Sequence, residues 1–263
     1  YTMFQTNKLK QRVENGTPSL GIWLSLANPA LAEISGHVGY DFAIIDNEHG
    51  IGEIKDVANM LRAFGAFETT AMVRVPGQDP DYLKRVLDAG AQALMIPMIE
   101  TADQARAAIA ACRYPPLGSR GCAAGLIRAS GYGATEDYIT QAHDELFIAL
   151  QIESIKGVEN TAEIAAVEGV DMIFIGANDL SGNCGMLSQY GHPEVVSQIE
   201  KSMVATKTVG KYLGTIPRPD ADYCQLIEDG FLMVAGSADT TLFRDAAKAE
   251  IAAYREGMAK RGK

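Results

Sequence analysis

The chain has 263 residues, 47% of them hydrophobic, with 33 acidic residues against 23 basic ones and a formal net charge of −10 at pH 7. That length can bury a full core in one domain, and a surface this acidic repels phosphate backbones and anionic membranes, which argues against nucleic acid or a lipid surface as partner. Cys112, Cys122, Cys184 and Cys224 form no C-x-x-C pair, no segment approaches the ~20 apolar residues of a membrane span, and Tyr1 to Asn15 lacks a signal-peptide block, so a reducing, cytoplasmic location is expected.

Short apolar, β-rich runs recur along the chain at Leu20 to Leu26, Phe42 to Ile45, Thr70 to Val75, Ala93 to Ile96, Leu146 to Ile152, Met172 to Ile175, Tyr212 to Thr215 and Phe231 to Val234. Between them lie alanine-rich stretches with helical spacing, among them Ile54 to Phe64, Tyr82 to Ala89, Ala102 to Ala111 and Glu194 to Thr208. Alternation of this kind builds a parallel sheet, and eight repeats in about 250 residues predict a closed (β/α)8 TIM barrel spanning residues 1 to 263. A doubly wound open sheet is the competing topology, but no G-x-G-x-x-G follows the first strand. Asp79-Pro80 and His192-Pro193 read as helix starts, and Gly90, Gly169, Gly210 and Gly230 as helix stops. The long connection Arg113 to Gly133 and the shorter Ser181 to Gly191 are expected to cover the barrel mouth. Ser154 to Asp171 has the length of one crossover helix, and the last helix, Thr240 to Met258, either closes the barrel or reaches a neighbouring subunit.

In parallel α/β architectures the chemistry sits where the strands end, so the polar residues that follow the apolar runs carry the functional expectation. The stretch Asp41 to Gly50, D-F-A-I-I-D-N-E-H-G, delivers Asp46, Glu48 and His49 to that end. Trp23, Arg74, Gln151, Glu153, Asn178, Asp179 and Thr215 join them. Glu153 and Asp179 end consecutive strands, which lie ~4.8 Å apart in a parallel sheet, so the two carboxylates can share a hard divalent cation. Helix capping or a salt bridge for one of the pair is the plainer alternative. His49 is the one histidine in a polar turn after a strand, placed to take a proton at neutral pH or to serve a structural role. Arg74 interrupts an apolar strand and requires an anion: either a ligand carboxylate or enolate, or Asp46 or Glu48. Gly236-Ser237 suggests a phosphate-binding turn, a pattern that ordinary capping also explains.

Taken together, F-A-I-I-D-N-E-H-G, V-R-V-P, A-L-M-I-P-M-I-E-T, R-Y-P-P-L-G-S-R-G, L-Q-I-E-S, G-A-N-D-L-S and the later G-T resemble the HpcH/HpaI family of metal-dependent class II pyruvate aldolases, relatives of citrate lyase β subunits. The resemblance implies a lyase that cleaves a 4-hydroxy-2-oxo acid reversibly to pyruvate and an aldehyde, with oxaloacetate decarboxylation as a side activity. It implies that Glu153 and Asp179 ligate Mg²⁺, Mn²⁺ or Co²⁺, that His49 is the base with Asp88 as its paired carboxylate, and that Arg74 steadies the enolate. By the same resemblance Gln151, Asn178 and Asp179 face bound pyruvate, while Trp23, Thr215 and Ile216 shape the substrate site. Arg218, just beyond, hints at an acidic acceptor. The family also implies a homohexamer of dimers that exchange the C-terminal helix. Three rivals remain at this point: a decarboxylase or bond-forming enzyme of the same family, a Schiff-base aldolase using Lys156, and a non-catalytic barrel that binds a small carboxylate.

Overall fold

A computed structural model describes residues 4–219 and 221–262; the outer ends of the expected 1–263 domain, and the first three residues of Tyr1 to Asn15, lie outside them. Eight strands, β1 (Ser19–Leu24), β2 (Phe42–Asp46), β3 (Thr70–Arg74), β4 (Ala93–Ile96), β5 (Phe147–Ile152), β6 (Met172–Ile175), β7 (Tyr212–Thr215) and β8 (Met233–Ala238), close into a barrel in chain order. All eight pairings are parallel, which makes this the expected (β/α)8 architecture. The helices are α1 (Lys8–Glu14), α2 (Pro29–Val38), α3 (Ile54–Phe64), α4 (Pro80–Asp88), α5 (Ala102–Cys112), α6 (Tyr138–Gln141), α7 (Ile155–Glu159), α8 (Thr161–Ala165), α9 (Ala177–Asn183), α10 (Pro193–Thr208), α11 (Tyr223–Glu228) and α12 (Asp239–Ala259). None is long and apolar enough to cross a membrane.

Strand side chains alternate between two cores. Phe42, Ile44, Met72, Met95, Phe147, Ala149, Met172, Phe174, Met233 and Ala235 fill the barrel interior. Their neighbours Ala43, Ile45, Val73, Leu94, Ile148, Leu150, Ile173 and Val234 pack outward, in the layer under the helices. Leu9 and Val13 of α1 join the interior cluster, so this helix plugs the end where the strands begin. Asn7 caps it and donates to Gln92 O at 2.9 Å and Glu145 O at 3.1 Å.

Helix punctuation follows the sequence closely. Asp79 and His192 cap α4 and α10 with their side chains, and the four glycines read as stops all adopt positive φ, a conformation open to them because they lack Cβ. Two expectations need correction. The crossover after β5 is two short helices, broken at Asn160, whose side chain turns away to donate to Glu100 O at 2.7 Å. The connection Arg113 to Gly133 does not cover the mouth: it follows α5 and precedes β5, and an α-to-β connection lies at the end where strands begin. There Arg120 pairs with Asp88 at the end of α4, and Arg128 Nη1 donates to Ala89 O at 2.9 Å.

Candidate active site

The mouth is built by continuing the inward-facing rows past the apolar layers. Phe42 and Ile44 are followed on the same face by Asp46, Met72 by Arg74, and Phe147 and Ala149 by Gln151. Asp46 and Arg74 are register partners on adjacent strands, so their side chains meet inside a nearly dry barrel. Arg74 Nε donates to Asp46 Oδ1 at 2.9 Å and Nη2 to Oδ2 at 2.7 Å. Its Nη1 lies 3.0 Å from Glu48 Oε2, and the guanidinium carbon stands 4.5 Å from the Trp23 ring centroid. Burial alone would push the Asp46 carboxyl up, but the Arg74 fork and the amides of His49 and Glu48 hold it below its ordinary value. A guanidinium carries five N–H donors; Asp46 takes two of them, and Nη1 faces Glu48 Oε2, which accepts no hydrogen bond from the described residues.

Glu153 follows β5 and is 3% exposed. Met98, with φ of 55°, donates its amide to Glu153 Oε1 at 2.7 Å, and Gln151 Nε2 donates to Oε2. Burial, opposed by the Met98 amide and reinforced by the charges of Glu48 and Asp179, pushes this carboxyl up to about 7. Glu48 is raised too, by burial and by Asp46 and Asp179, against the pull of Arg74 and His49. Asp46, Glu48, Glu153 and Asp179 thus crowd one region around one firmly held cation. Gly176 makes the crowding possible: a Cβ there would fall 2.6 Å from Glu153 Oε2 and 2.7 Å from Gln151 Nε2. The Gln151 Oε1 atom is buried without a hydrogen-bond partner.

A cavity of about 600 Å³ opens over this floor and is lined by Trp23, His49, Arg74, Gln151, Asn178, Asp179 and Ile216 among others. The structure therefore brings together seven of the residues singled out from sequence, with Glu153 immediately behind Gly176. It does not bring Thr215 to them. Strand parity turns Thr215 outward, where it is fully buried and its hydroxyl donates to Ile175 O at 3.1 Å, so the substrate-facing expectation for it is withdrawn. Nor does it form the His49–Asp88 pair within one chain. Asp88 ends α4, a helix that runs back from the mouth, and its carboxylate accepts from Arg120 Nη2 at 2.6 Å at the opposite end of the barrel; the acid beside His49 is Glu48, 3.9 Å away. Lys156 does not line the cavity, and it is held 3.2 Å from Glu100 Oε2. Phe174 and Thr241, which sequence reasoning did not place at the site, also line it, together with Tyr190 from the connection expected to cover the mouth and Ser237 from the turn after the last apolar run. Phe174 was legible by parity as an inward residue of β6, whereas Thr241 sits in the first turn of α12.

Residues 19–246 match the model of the family described as HpcH/HpaI aldolase/citrate lyase. The chain is 39% identical over 248 residues to a 4-hydroxy-2-oxo-heptane-1,7-dioate aldolase of Salmonella dublin, covering 94% of each chain. It is 38% identical over 252 residues to a 2-keto-3-deoxy-L-rhamnonate aldolase of Escherichia coli, covering 96% of this chain and 94% of that one. Among solved structures, an HpcH/HpaI aldolase/citrate lyase family protein of Burkholderia cenocepacia superposes with a TM-score of 0.91 at 38% identity, over 95% of this chain and 100% of the other.

Proposed function

This chain belongs to the HpcH/HpaI aldolase/citrate lyase family and is a carbon–carbon lyase of the pyruvate-aldolase type, and from that premise we propose that it cleaves a 4-hydroxy-2-oxo acid reversibly to pyruvate and an aldehyde with the help of a divalent cation. The observation that carries the reading is the Arg74 guanidinium, held rigid by Asp46 and Glu48 at the floor of the cavity beside the crowded carboxylates of Glu153 and Asp179.

Among the described residues no group of three or more His, Cys, Asp or Glu is placed to hold a metal ion, so an ion here would rest on Glu153 and Asp179, completed by water and substrate oxygens. Those residues fit a hard cation: both donors are oxygen, the charge of the exposed Asp179 helps to push the buried Glu153 carboxyl up, and a Cβ on Gly176 would fall 2.6 Å from Glu153 Oε2. Mg²⁺, Mn²⁺ or Co²⁺ bound there would act as a Lewis acid on the 2-oxo group. The protein's own residues supply the rest. As the C3–C4 bond breaks, its electron pair passes to C3 and charge grows on the C2 oxygen, where the Arg74 donors not taken by Asp46 can meet it without reorganising. His49 takes the proton of the C4 hydroxyl as that carbon becomes the aldehyde. The enolate then takes a proton at C3 to give pyruvate. The same site would decarboxylate oxaloacetate, which yields the same enolate.

Asp88 enters this reading only through assembly, because its position at the far end of the barrel lets it approach a His49 imidazole solely in a second copy. We place α12 against such a copy, in a homohexamer: Phe243 and Tyr254 on this helix are 76% and 66% exposed, a large apolar surface for a solvated helix. Light scattering of the purified chain tests the assembly. The activity test is pyruvate release from a 4-hydroxy-2-oxo acid, coupled to lactate dehydrogenase, before and after EDTA. Loss with EDTA and recovery with Mg²⁺ or Mn²⁺ is the expected result; pyruvate release that survives EDTA, with borohydride trapping of pyruvate on a lysine, would replace this mechanism with a Schiff base.

A further inference from the structure

We infer that Met98 is a positioning residue of the cation site: the left-handed turn it makes after β4 aims its backbone N–H at Glu153, and Gln78 and Glu100 hold that turn in place. The inference rests on the divalent-cation part of the proposed function and names groups to which that reading gives no role.

Among the described residues four other than glycine have positive φ: Ala27, Met98, Tyr132 and Ser188. Tyr132 and Ser188 give their amides to Ile127 O and the Ser181 hydroxyl. Met98, with φ of 55°, gives its amide to a carboxylate, Glu153 Oε1, at 2.7 Å. A side chain in this region crowds its own backbone and costs free energy, so the surroundings must hold the conformation. Burial of the thioether does not supply the reason, because Met98 is 46% exposed. The reason lies in the backbone. Between the end of β4 at Ile96 and the start of α5 at Ala102, the reversal at Met98 turns one N–H toward the end of β5, where Glu153 stands.

The segment is fastened from both neighbouring units. Gln78, in the connection between β3 and α4, donates its Nε2 to Met98 O at 3.0 Å. Ile99 N donates to Gln151 O at 3.2 Å, and a Cβ on Gly157 would fall 2.9 Å from Ile99 O. Glu100 ties the far end of the segment to the stretch after β5: its carboxylate accepts from Ser154 Oγ at 2.8 Å and lies 3.2 Å from Lys156 Nζ, while its carbonyl accepts from Asn160. Ser154 and Lys156 are the first and third residues after Glu153, so Glu100 joins the turn to the stretch that carries the carboxylate. These contacts lie within one chain, and Ile99, Glu153 and Ser154 are buried, so they do not depend on a second copy at the mouth.

A carboxylate with one oxygen held by a fixed amide keeps its rotamer and presents the other oxygen in one direction. For Glu153 the held atom is Oε1. Its Oε2, which here accepts from the Gln151 side chain, is the oxygen a cation can take by displacing one flexible donor. A turn relaxed out of the left-handed region would carry the Met98 N–H away from Glu153. The side chain would then gain freedom that cation binding must remove, and affinity would fall. Because the role belongs to the backbone, two replacements of the same side chain have opposite expected results.

The test measures the Kd of Mn²⁺ for the full, metal-free chain without substrate, from the EPR signal of free Mn²⁺. Glycine adopts positive φ without a Cβ penalty and keeps the N–H, so Met98→Gly should bind within a few-fold of wild type. Valine is branched at Cβ and strongly disfavours this region, so Met98→Val should weaken binding about tenfold or more, the scale on which partners of metal ligands act. A role for the thioether itself, in packing or against a second copy, would move both variants alike. Gln78→Ala and Glu100→Gln, which loosen the turn without changing Met98, should each weaken binding several-fold. Equal Kd values for the two Met98 variants overturn the inference, and where Met98→Val does not fold, an unchanged Kd in Gln78→Ala does the same. Wild-type chain that takes up Mn²⁺ with variants that match it sinks this inference alone. Wild-type chain that takes up none sinks the cation part of the proposed function and this inference with it.

Discussion

Arg74 at the mouth and Arg120 at the opposite end are both buried guanidiniums, each 4.5 Å from an aromatic ring centroid and each paired with an aspartate. Around Arg120 everything is packing: Tyr114 lies against it, Asp88 accepts at 2.6 Å and the Tyr138 hydroxyl sits 3.4 Å away. Around Arg74 two carboxylates grip one side and a cavity of about 600 Å³ opens on the other. An arginine–aspartate pair is thus structural where protein encloses it and available for chemistry where one face is left open. The pairs look alike in sequence because the difference lies in which end of the barrel each reaches.

The largest expected effect follows from the open face. Arg74→Ala should lower kcat/KM by about 10²- to 10³-fold, as loss of a single preorganised donor to a developing oxyanion typically does. It also leaves Asp46 buried without its partner, so the melting temperature should fall; Arg74→Lys keeps the charge, loses the fork, and separates the two effects. Turnover within a few-fold of wild type in a folded Arg74→Ala protein would break the comparison at its stronger end.

Next comes the charge crowding beside Arg74. The folded-state pKa of Glu153, about 7, lies above its ordinary value of 4.5, so between these pH values the folded chain holds a proton that the unfolded chain has released. Stability of the metal-free protein should therefore fall as pH rises from about 4.5 to about 7, by on the order of 3 kcal/mol. Glu48, also raised, acts in the same direction. Asp46, lowered, contributes stability above its unfolded pKa that is lost only as pH falls through its lower folded value, outside this window. Urea titrations at pH 5 and 7.5 should show the drop, Glu153→Gln should flatten it, and Mg²⁺ should offset it most at pH 7.5. Metal-free protein that is no less stable at pH 7.5 would remove the case for an uncompensated cation site.

The barrel and most of its mouth were legible because they depend on periodicity. Ala93 to Ile96 and Tyr212 to Thr215 coincide with the strand bounds, and Asp46, Arg74 and Gln151 extend inward rows that begin with Phe42, Met72 and Phe147. What escaped depends on position within the repeat. Thr215 was credited to the mouth although Leu213 and Thr215 share the outward face. Asp88 closes a returning helix, and Arg113 to Gly133 follows one, so both belong to the end where strands start. The plug formed by Leu9 and Val13 had no strand partner to announce it, and the hydroxyls of Tyr190 and Thr241 reach the cavity through tertiary packing alone.

At the enclosed end the expected effects are on stability. Asp88→Asn strips the counter-charge from an arginine whose side chain is 3% exposed, and breaking a buried pair in this way costs about 3 kcal/mol. A fall in midpoint with turnover retained by the folded protein is the outcome the single-chain geometry predicts. A loss of turnover at unchanged stability would show that this carboxylate serves the mouth of another copy, and would make the enclosed end functional after all.

The reverse change should cost less, and the asymmetry is itself a test. In Arg120→Met the carboxylate left behind is 23% exposed and can turn to water, so the pair itself is worth little more than a surface bridge, and the methionine keeps most of the packing against Tyr114. The remaining loss is the cation–π contact with that ring, which puts the total at about 1–2 kcal/mol. Chemical denaturation of the two variants side by side measures the difference directly. If Arg120→Met proves as costly as Asp88→Asn, the guanidinium is worth more for what it organises around Tyr114 and Tyr138 than for the charge it shares with Asp88, and burial of charge would no longer account for how this end of the barrel is held.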